Sequence, residues 1–139
     1  MAECGGRVAT ASKDCTVSVT ALRPTGGLAL QHRYDTLHEH VVKCVRWQQR
    51  QQEDGGCHVF GSCGNDRRVC IVDTRQSPGA GASLVLEEVH SSVINCLRWH
   101  PSDANLLLST SNDPHILLHD LRNPSQPLFT LLGHSPLQR

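Results

Sequence analysis

The chain repeats itself. The stretch His38-Glu39-His40-Val41-Val42-Lys43-Cys44-Val45-Arg46-Trp47 lies without a gap on His90-Ser91-Ser92-Val93-Ile94-Asn95-Cys96-Leu97-Arg98-Trp99, 52 residues later, with His, Val, Cys, Arg and Trp in common. A second block, Gly61 to Arg75, lies on Leu108 to Arg122 at 47 residues, sharing Ser62 with Ser109, Asn65 with Asn112, Asp66 with Asp113, Asp73 with Asp120 and Arg75 with Arg122. A weaker third copy, Ala9 to Arg23, keeps the turn aspartate, Asp14, and the final arginine. Units of this size cannot bury an apolar face alone, so consecutive copies must complete one another's core.

Within each copy, short runs of β-branched and apolar residues are bounded by turn residues, which is the pattern of strands. The middle copy predicts strands at Val41–Trp47, His58–Ser62, Val69–Val72 and Leu84–Leu86. The last predicts them at Val93–Trp99, Leu106–Thr110, His115–His119 and Leu128–Leu132. Asn65-Asp66 and Asn112-Asp113-Pro114 are tight-turn sequences, because Asn and Asp tolerate left-handed φ and bond their own backbone. Four strands every 44 to 52 residues is the period of a propeller blade. The expected fold is all-β, consecutive four-stranded antiparallel blades of an incomplete, about three-blade propeller. Its segments are 7–34, which begins at its second strand, then 38–88, 90–132 and the start of a further blade at 133–139. Such an array cannot close on itself, which implies remaining blades from a longer chain or self-association.

Charge and thiols narrow the partners. Thirteen Lys and Arg against thirteen Asp and Glu give a formal charge of zero, which removes the footprint that nucleic acid or an anionic membrane demands. No apolar run reaches membrane-helix length and no signal peptide opens the chain, so the expected home is the cytoplasm, the nucleus or both. Seven cysteines, an odd count without a secretory signal, are expected as reduced thiols. Cys57, Cys63 and Cys70 lack metal-ligand spacing, and Cys44 and Cys96 recur at equivalent strand positions as core residues do. No Ser or Cys sits in a strand-to-helix elbow. No cofactor, no metal and no catalytic residue is expected.

With Gly133-His134 opening a new unit 44 residues after His90, the chain resembles the WD-repeat family, whose blades start with Gly-His and end with Trp-Asp. Here the closing pairs are Val72-Asp73 and His119-Asp120. The resemblance implies an internal network of a His before the first strand, a Ser or Thr in the second, the turn Asp and the closing Trp. By position these are His38, Ser62 and Asp66 in one blade and His90, Ser109 and Asp113 in the next, with the fourth partner missing each time.

Asp73-Thr74-Arg75 and Asp120-Leu121-Arg122 end the third strands of consecutive blades. Asp and Arg there can simply solvate a corner. The doubled Asp-x-Arg also resembles the docking box of WD-repeat substrate receptors of the cullin-4 ubiquitin ligase, where the Arg enters an adaptor pocket; a guanidinium fork suits that task. The order Val59-Phe60-Gly61-Ser62, Asp73-Thr74-Arg75, Val93-Ile94-Asn95-Cys96-Leu97 and Asp120-Leu121-Arg122-Asn123 is similar to the WD-repeat histone-binding chaperone subunits. Asp120 to Asn123 followed by Gln126-Pro127-Leu128-Phe129 and Leu131-Leu132-Gly133-His134 resembles the peroxisomal targeting-signal-type-2 receptor. All three imply a non-catalytic scaffold that docks proteins or peptides. The family's surface positions imply a partner-binding face at Lys13, Asn65, Asn112, Glu39, His40, Ser91 and Ser92, with Arg75 and Arg122 as adaptor contacts.

Overall fold

The structure, a computed structural model, describes residues 1–49 and 57–133. Three four-stranded antiparallel sheets follow one another along the chain, each a simple meander. The first holds β1 (Ala2–Cys4), β2 (Arg7–Ala11), β3 (Val17–Leu22) and β4 (Leu28–Tyr34). The second holds β5 (Val42–Trp47), β6 (Val59–Gly64), β7 (Val69–Asp73) and β8 (Leu84–Leu86). The third holds β9 (Ile94–Trp99), β10 (Leu106–Ser111), β11 (His115–Asp120) and β12 (Phe129–Leu132). These are the expected blades, and the strands of the second and third sheets begin and end within two residues of the sequence expectation. Among the described residues, one 3₁₀ turn, Pro78–Ala80, interrupts the β pattern.

The first sheet departs from expectation by gaining a strand. Ala2–Cys4 folds back on β2, pairing Ala2 with Ala9 and Cys4 with Arg7. The turn between them is Gly5-Gly6 with φ of 55° and 71°, the two consecutive positive values that a two-residue hairpin matching strand twist requires. Ala-Glu-Cys lacks the apolar run that marks the equally short β8, Leu84–Leu86.

The repeat register carries into the packing. In the second sheet Val45, Trp47, Phe60, Cys70 and Val72 face the first sheet, where they meet Ala9, Val17, Val19 and Tyr34. Its other face, with Cys44, Cys63, Val69 and Ile71, meets Ile94, Leu97 and Leu107 of the third. Phe60, Ile94, Leu97 and Leu107 are all fully enclosed. Each core is therefore shared between neighbouring sheets, and neither sheet's apolar side chains are buried within one copy.

Two of the seven cysteines correct the expectation of reduced thiols. The β1 hairpin brings Cys4 beside Cys57, at the entry to β6, with 5.8 Å between their Cα atoms, and the pair forms a disulfide. Cys15, Cys44, Cys63, Cys70 and Cys96 are free thiols. Cys44, Cys63 and Cys70 are buried, as core strand positions should be, whereas Cys96 is only half-buried.

Candidate partner-binding faces

The strand order gives each blade two ends. The β6–β7 and β10–β11 turns carry Asp66 and Asp113 at one end, and β7 and β11 deliver Asp73-Thr74-Arg75 and Asp120-Leu121-Arg122 to the other.

At the turn end the expected networks form. His38 holds Asp66 through Nδ1 at 2.8 Å and Ser62 through Nε2 at 2.8 Å. The backbone N–H groups of Glu39 and Arg68 donate to the same Asp66 carboxylate, both at 3.2 Å. In the third blade His90 repeats this with Asp113 at 2.9 Å and Ser109 at 2.8 Å, and Ser91 and His115 add backbone donors to Asp113. Burial pushes both carboxyls up, but the His hydrogen bonds and the converging N–H donors outweigh it. Asp66 and Asp113 are held below the ordinary carboxylate value.

One blade also corrects the expectation that the fourth partner is missing. His119, in the closing-Trp position, places Nε2 2.8 Å from Ser109 Oγ. With both imidazoles neutral the donors are fixed. His119 Nε2–H donates to Ser109, whose hydroxyl donates to His90 Nε2, and His90 Nδ1–H donates to Asp113. An imidazole N–H thus does the work of an indole N–H. Burial, with the neighbouring His90 imidazole adding to its effect, drives the His119 pKa down to about 4. In the second blade the same position is Val72, 1% exposed in the apolar core. There the network stops at Ser62.

Ser109, His90 and Asp113 have the spacing of a nucleophile, base and orienting acid. Ser109 and Ser62 are nevertheless 0% exposed, so no substrate reaches either hydroxyl and the arrangement acts as a clamp on the blade. Among the described residues, no three His, Cys, Asp or Glu side chains converge as metal ligands.

Of the expected face residues, Glu39, His40 and Asn65 line one groove of about 340 Å³ together with Arg67, Arg68, Glu87 and Glu88. Those last four were missed by sequence reasoning. Arg68 bridges Glu39 at 3.0 Å and Glu87 at 3.3 Å, and Arg67 meets Glu88 at 3.3 Å. The signal for Arg67 and Arg68 was only their position just after the turn aspartate, and Glu87 and Glu88, in a separate segment, left none. Ser91 lies instead in a recess of about 300 Å³ with Asp113, His115 and Leu117. Asn112 is exposed and accepts from Asn95. Ser92 is half-buried, and Lys13 is exposed on the β2–β3 turn of the first sheet. Asp14, beside it, binds Thr16 and pairs with Arg33 at 3.6 Å.

At the corner end the two Asp-x-Arg motifs have one geometry. Arg75 grips Asp73 with Nε at 2.9 Å and Nη2 at 2.6 Å. Arg122 grips Asp120 with Nε at 2.8 Å and Nη2 at 2.9 Å. The backbone N–H of each Arg donates to its Asp at 3.0 Å. The arginine side chains are 56% and 59% exposed. The clasped guanidinium lowers the pKa of each Asp. Arg122 also reaches Asp103 at 3.5 Å, next to a groove of about 690 Å³ that includes Gln48, His100 and Ala104.

Residues 83–120, which run from β8 through β11, match the family model described as WD domain, G-beta repeat. The sequence unit thus straddles two sheets, taking the outer strand of one blade and three strands of the next. The chain is similar to two proteins named histone acetyltransferase type B subunit 2. It is 27% identical to that of Kluyveromyces lactis over 129 residues, 93% of this chain and 29% of the relative. It is 24% identical to that of Candida glabrata over 102 residues, 73% of this chain and 22% of the relative. The chain therefore spans less than a third of the length of either relative.

Proposed function

We propose that this WD-repeat chain is a non-catalytic protein-interaction scaffold whose corner end docks an adaptor through Arg75 and Arg122. The observation that carries the reading is the pair of exposed arginines on adjacent blades, each clasped by the Asp two residues before it. A guanidinium already oriented by its own backbone neighbour loses little freedom on docking, and an Arg presented in this way is a common interface anchor. The adaptor chemistry that fits is the one used by cullin-4 substrate receptors, a pocket that accepts an arginine. The test is co-purification of the intact protein with a cullin-4 adaptor. Arg75→Ala with Arg122→Ala should lower recovery at least thirtyfold, the equivalent of roughly 2 kcal/mol, while leaving the melting profile unchanged. Retention of the adaptor by the double variant overturns the reading.

A second reading is favoured by the relatives, which are histone acetyltransferase subunits by name. It makes the partner a histone held at the turn end, where Glu39, His40 and Asn65 share a groove. Asn65→Ala with Asn112→Ala should then weaken binding to core-histone peptides, and the arginine pair should not. Action in the nucleus, the cytoplasm or both follows from either partner.

A further inference from the structure

The two arginine corners share the Asp clasp and differ in what stands behind them. In each, the middle residue of the motif donates its N–H across the blade, Thr74 to His58 at 2.8 Å and Leu121 to Asn105 at 2.8 Å. Thr74 adds a hydroxyl bond to the His58 carbonyl at 3.0 Å. Arg7 of β2 donates to Thr74 Oγ1 at 3.4 Å and to the Cys57 carbonyl at 3.5 Å. Cys57, the residue before His58, is bonded covalently to Cys4, which pairs with Arg7 across the β1–β2 turn. The first corner is therefore fastened to the neighbouring sheet by a disulfide and a guanidinium that meet on one short segment. Leu121 has no hydroxyl, and Asn105 has no sulfur beside it.

We propose that Cys4–Cys57 is a thiol-exchange site whose reduction loosens the Asp73-Thr74-Arg75 corner and leaves the Asp120-Leu121-Arg122 corner as it is. The co-reactant is a dithiol reductant. Its thiolate attacks Cys4 Sγ, the half-buried sulfur of the pair, Cys57 being 4% exposed. The S–S bond breaks, Cys57 leaves as a thiolate and takes up a proton, and a mixed disulfide remains on Cys4. The second thiol of the reductant displaces Cys4, so two electrons and two protons pass to the protein and the reductant becomes its own disulfide. The β1 hairpin then keeps only noncovalent ties to the second sheet, and the segment 57–58 that positions Thr74 loses its fixed support. As regulation of docking, this inference rests on the reading of the corners as docking points; as chemistry it does not.

The test is hydrogen exchange of the intact protein before and after reduction, followed by mass spectrometry of peptides covering 73–76 and 119–123. The Thr74, Arg75 and Gln76 amides and their counterparts at Leu121, Arg122 and Asn123 are all hydrogen-bonded, so each corner reports on itself. Reduction should speed exchange at the first corner about fivefold or more and leave the second unchanged, because local opening follows local support. Cys4→Ser with Cys57→Ser should show the fast exchange with or without reductant. Three results overturn the proposal: alkylation of all seven cysteines in unreduced, denatured protein, no change at the first corner, or equal acceleration of both. No partner is present in this measurement, so failure of adaptor docking would show separately in the co-purification.

Discussion

Trp99 donates its indole N–H to the carbonyl of Arg46 at 3.0 Å, across the junction between the third and second sheets. Trp47 does the same to Ala2 at 3.1 Å, across the junction between the second and first. Ala2 pairs with Ala9 as Arg46 pairs with Gly61, so the acceptors sit at equivalent places on the first strand of each sheet. The Trp shared by the two sequence copies is thus a bolt between blades. Replacing Trp99 by Phe keeps most of the apolar surface and removes the bond, and should cost about 1 kcal/mol in urea unfolding. Trp47→Phe should cost a similar amount.

Asp113→Ala takes the acceptor away from a buried His90 and from the N–H groups of Ser91 and His115. A loss on the order of 1–3 kcal/mol is expected. Asp103, in the β9–β10 loop, bonds the Asn105 N–H and reaches only the exposed Arg122. Its replacement by Ala should cost less than about 1 kcal/mol. Chemical denaturation of the two variants side by side measures the contrast, and equal losses would contradict the clamp role of Asp113.

The His119 imidazole is held neutral well below its ordinary 6.5, at about 4. The unfolded chain therefore takes up this proton first as pH falls. The stability His119 contributes is complete above about pH 6.5 and is lost on the way down to about pH 4, by at most about 3 kcal/mol. Asp66 and Asp113, with lowered values, add their losses only at more acidic pH. His119→Gln should flatten the urea midpoint between pH 7 and pH 5, and an unchanged slope in that window would exclude His119 as its source.

Glycines 64 and 79 should respond oppositely to the same substitution. A Cβ on Gly64, at the end of β6, would run into the Val41 carbonyl that also accepts the Asn65 N–H. Backbone cannot give way cheaply, so Gly64→Ala should cost on the order of 2 kcal/mol or more. Gly79 has open space around its Cβ position, and Gly79→Ala should be within about 0.5 kcal/mol of the parent. Thermal melts of the two variants decide it.

The blades were legible because burial follows the alternation that a half-buried strand writes into its residues, as in Val17 and Val19 of β3. His38, Ser62 and Asp66 with their repeats were legible because they recur. What escaped was whatever does not recur. His119 replaces an indole by an imidazole, so the donor is conserved in geometry and lost to a comparison of residue names. Cys4 and Cys57 lie 53 residues apart and meet only because a Gly-Gly turn builds β1, a strand with no apolar run to announce it. Arg67, Arg68, Glu87 and Glu88 enter a shared groove from two separate segments, and sequence order carries no sign of that convergence.

The Cys4–Cys57 bond also decides how the molecule transmits force. A pull applied at Met1 and Gly133 travels from Cys4 straight to Cys57, so β2, β3, β4 and β5 lie off the load path. Those strands can be stretched only after the bond is reduced, each residue then releasing up to about 3.6 Å of length. The disulfide takes β2 to β5 out of the path and leaves β1, β6 to β8 and the third blade to carry the tension.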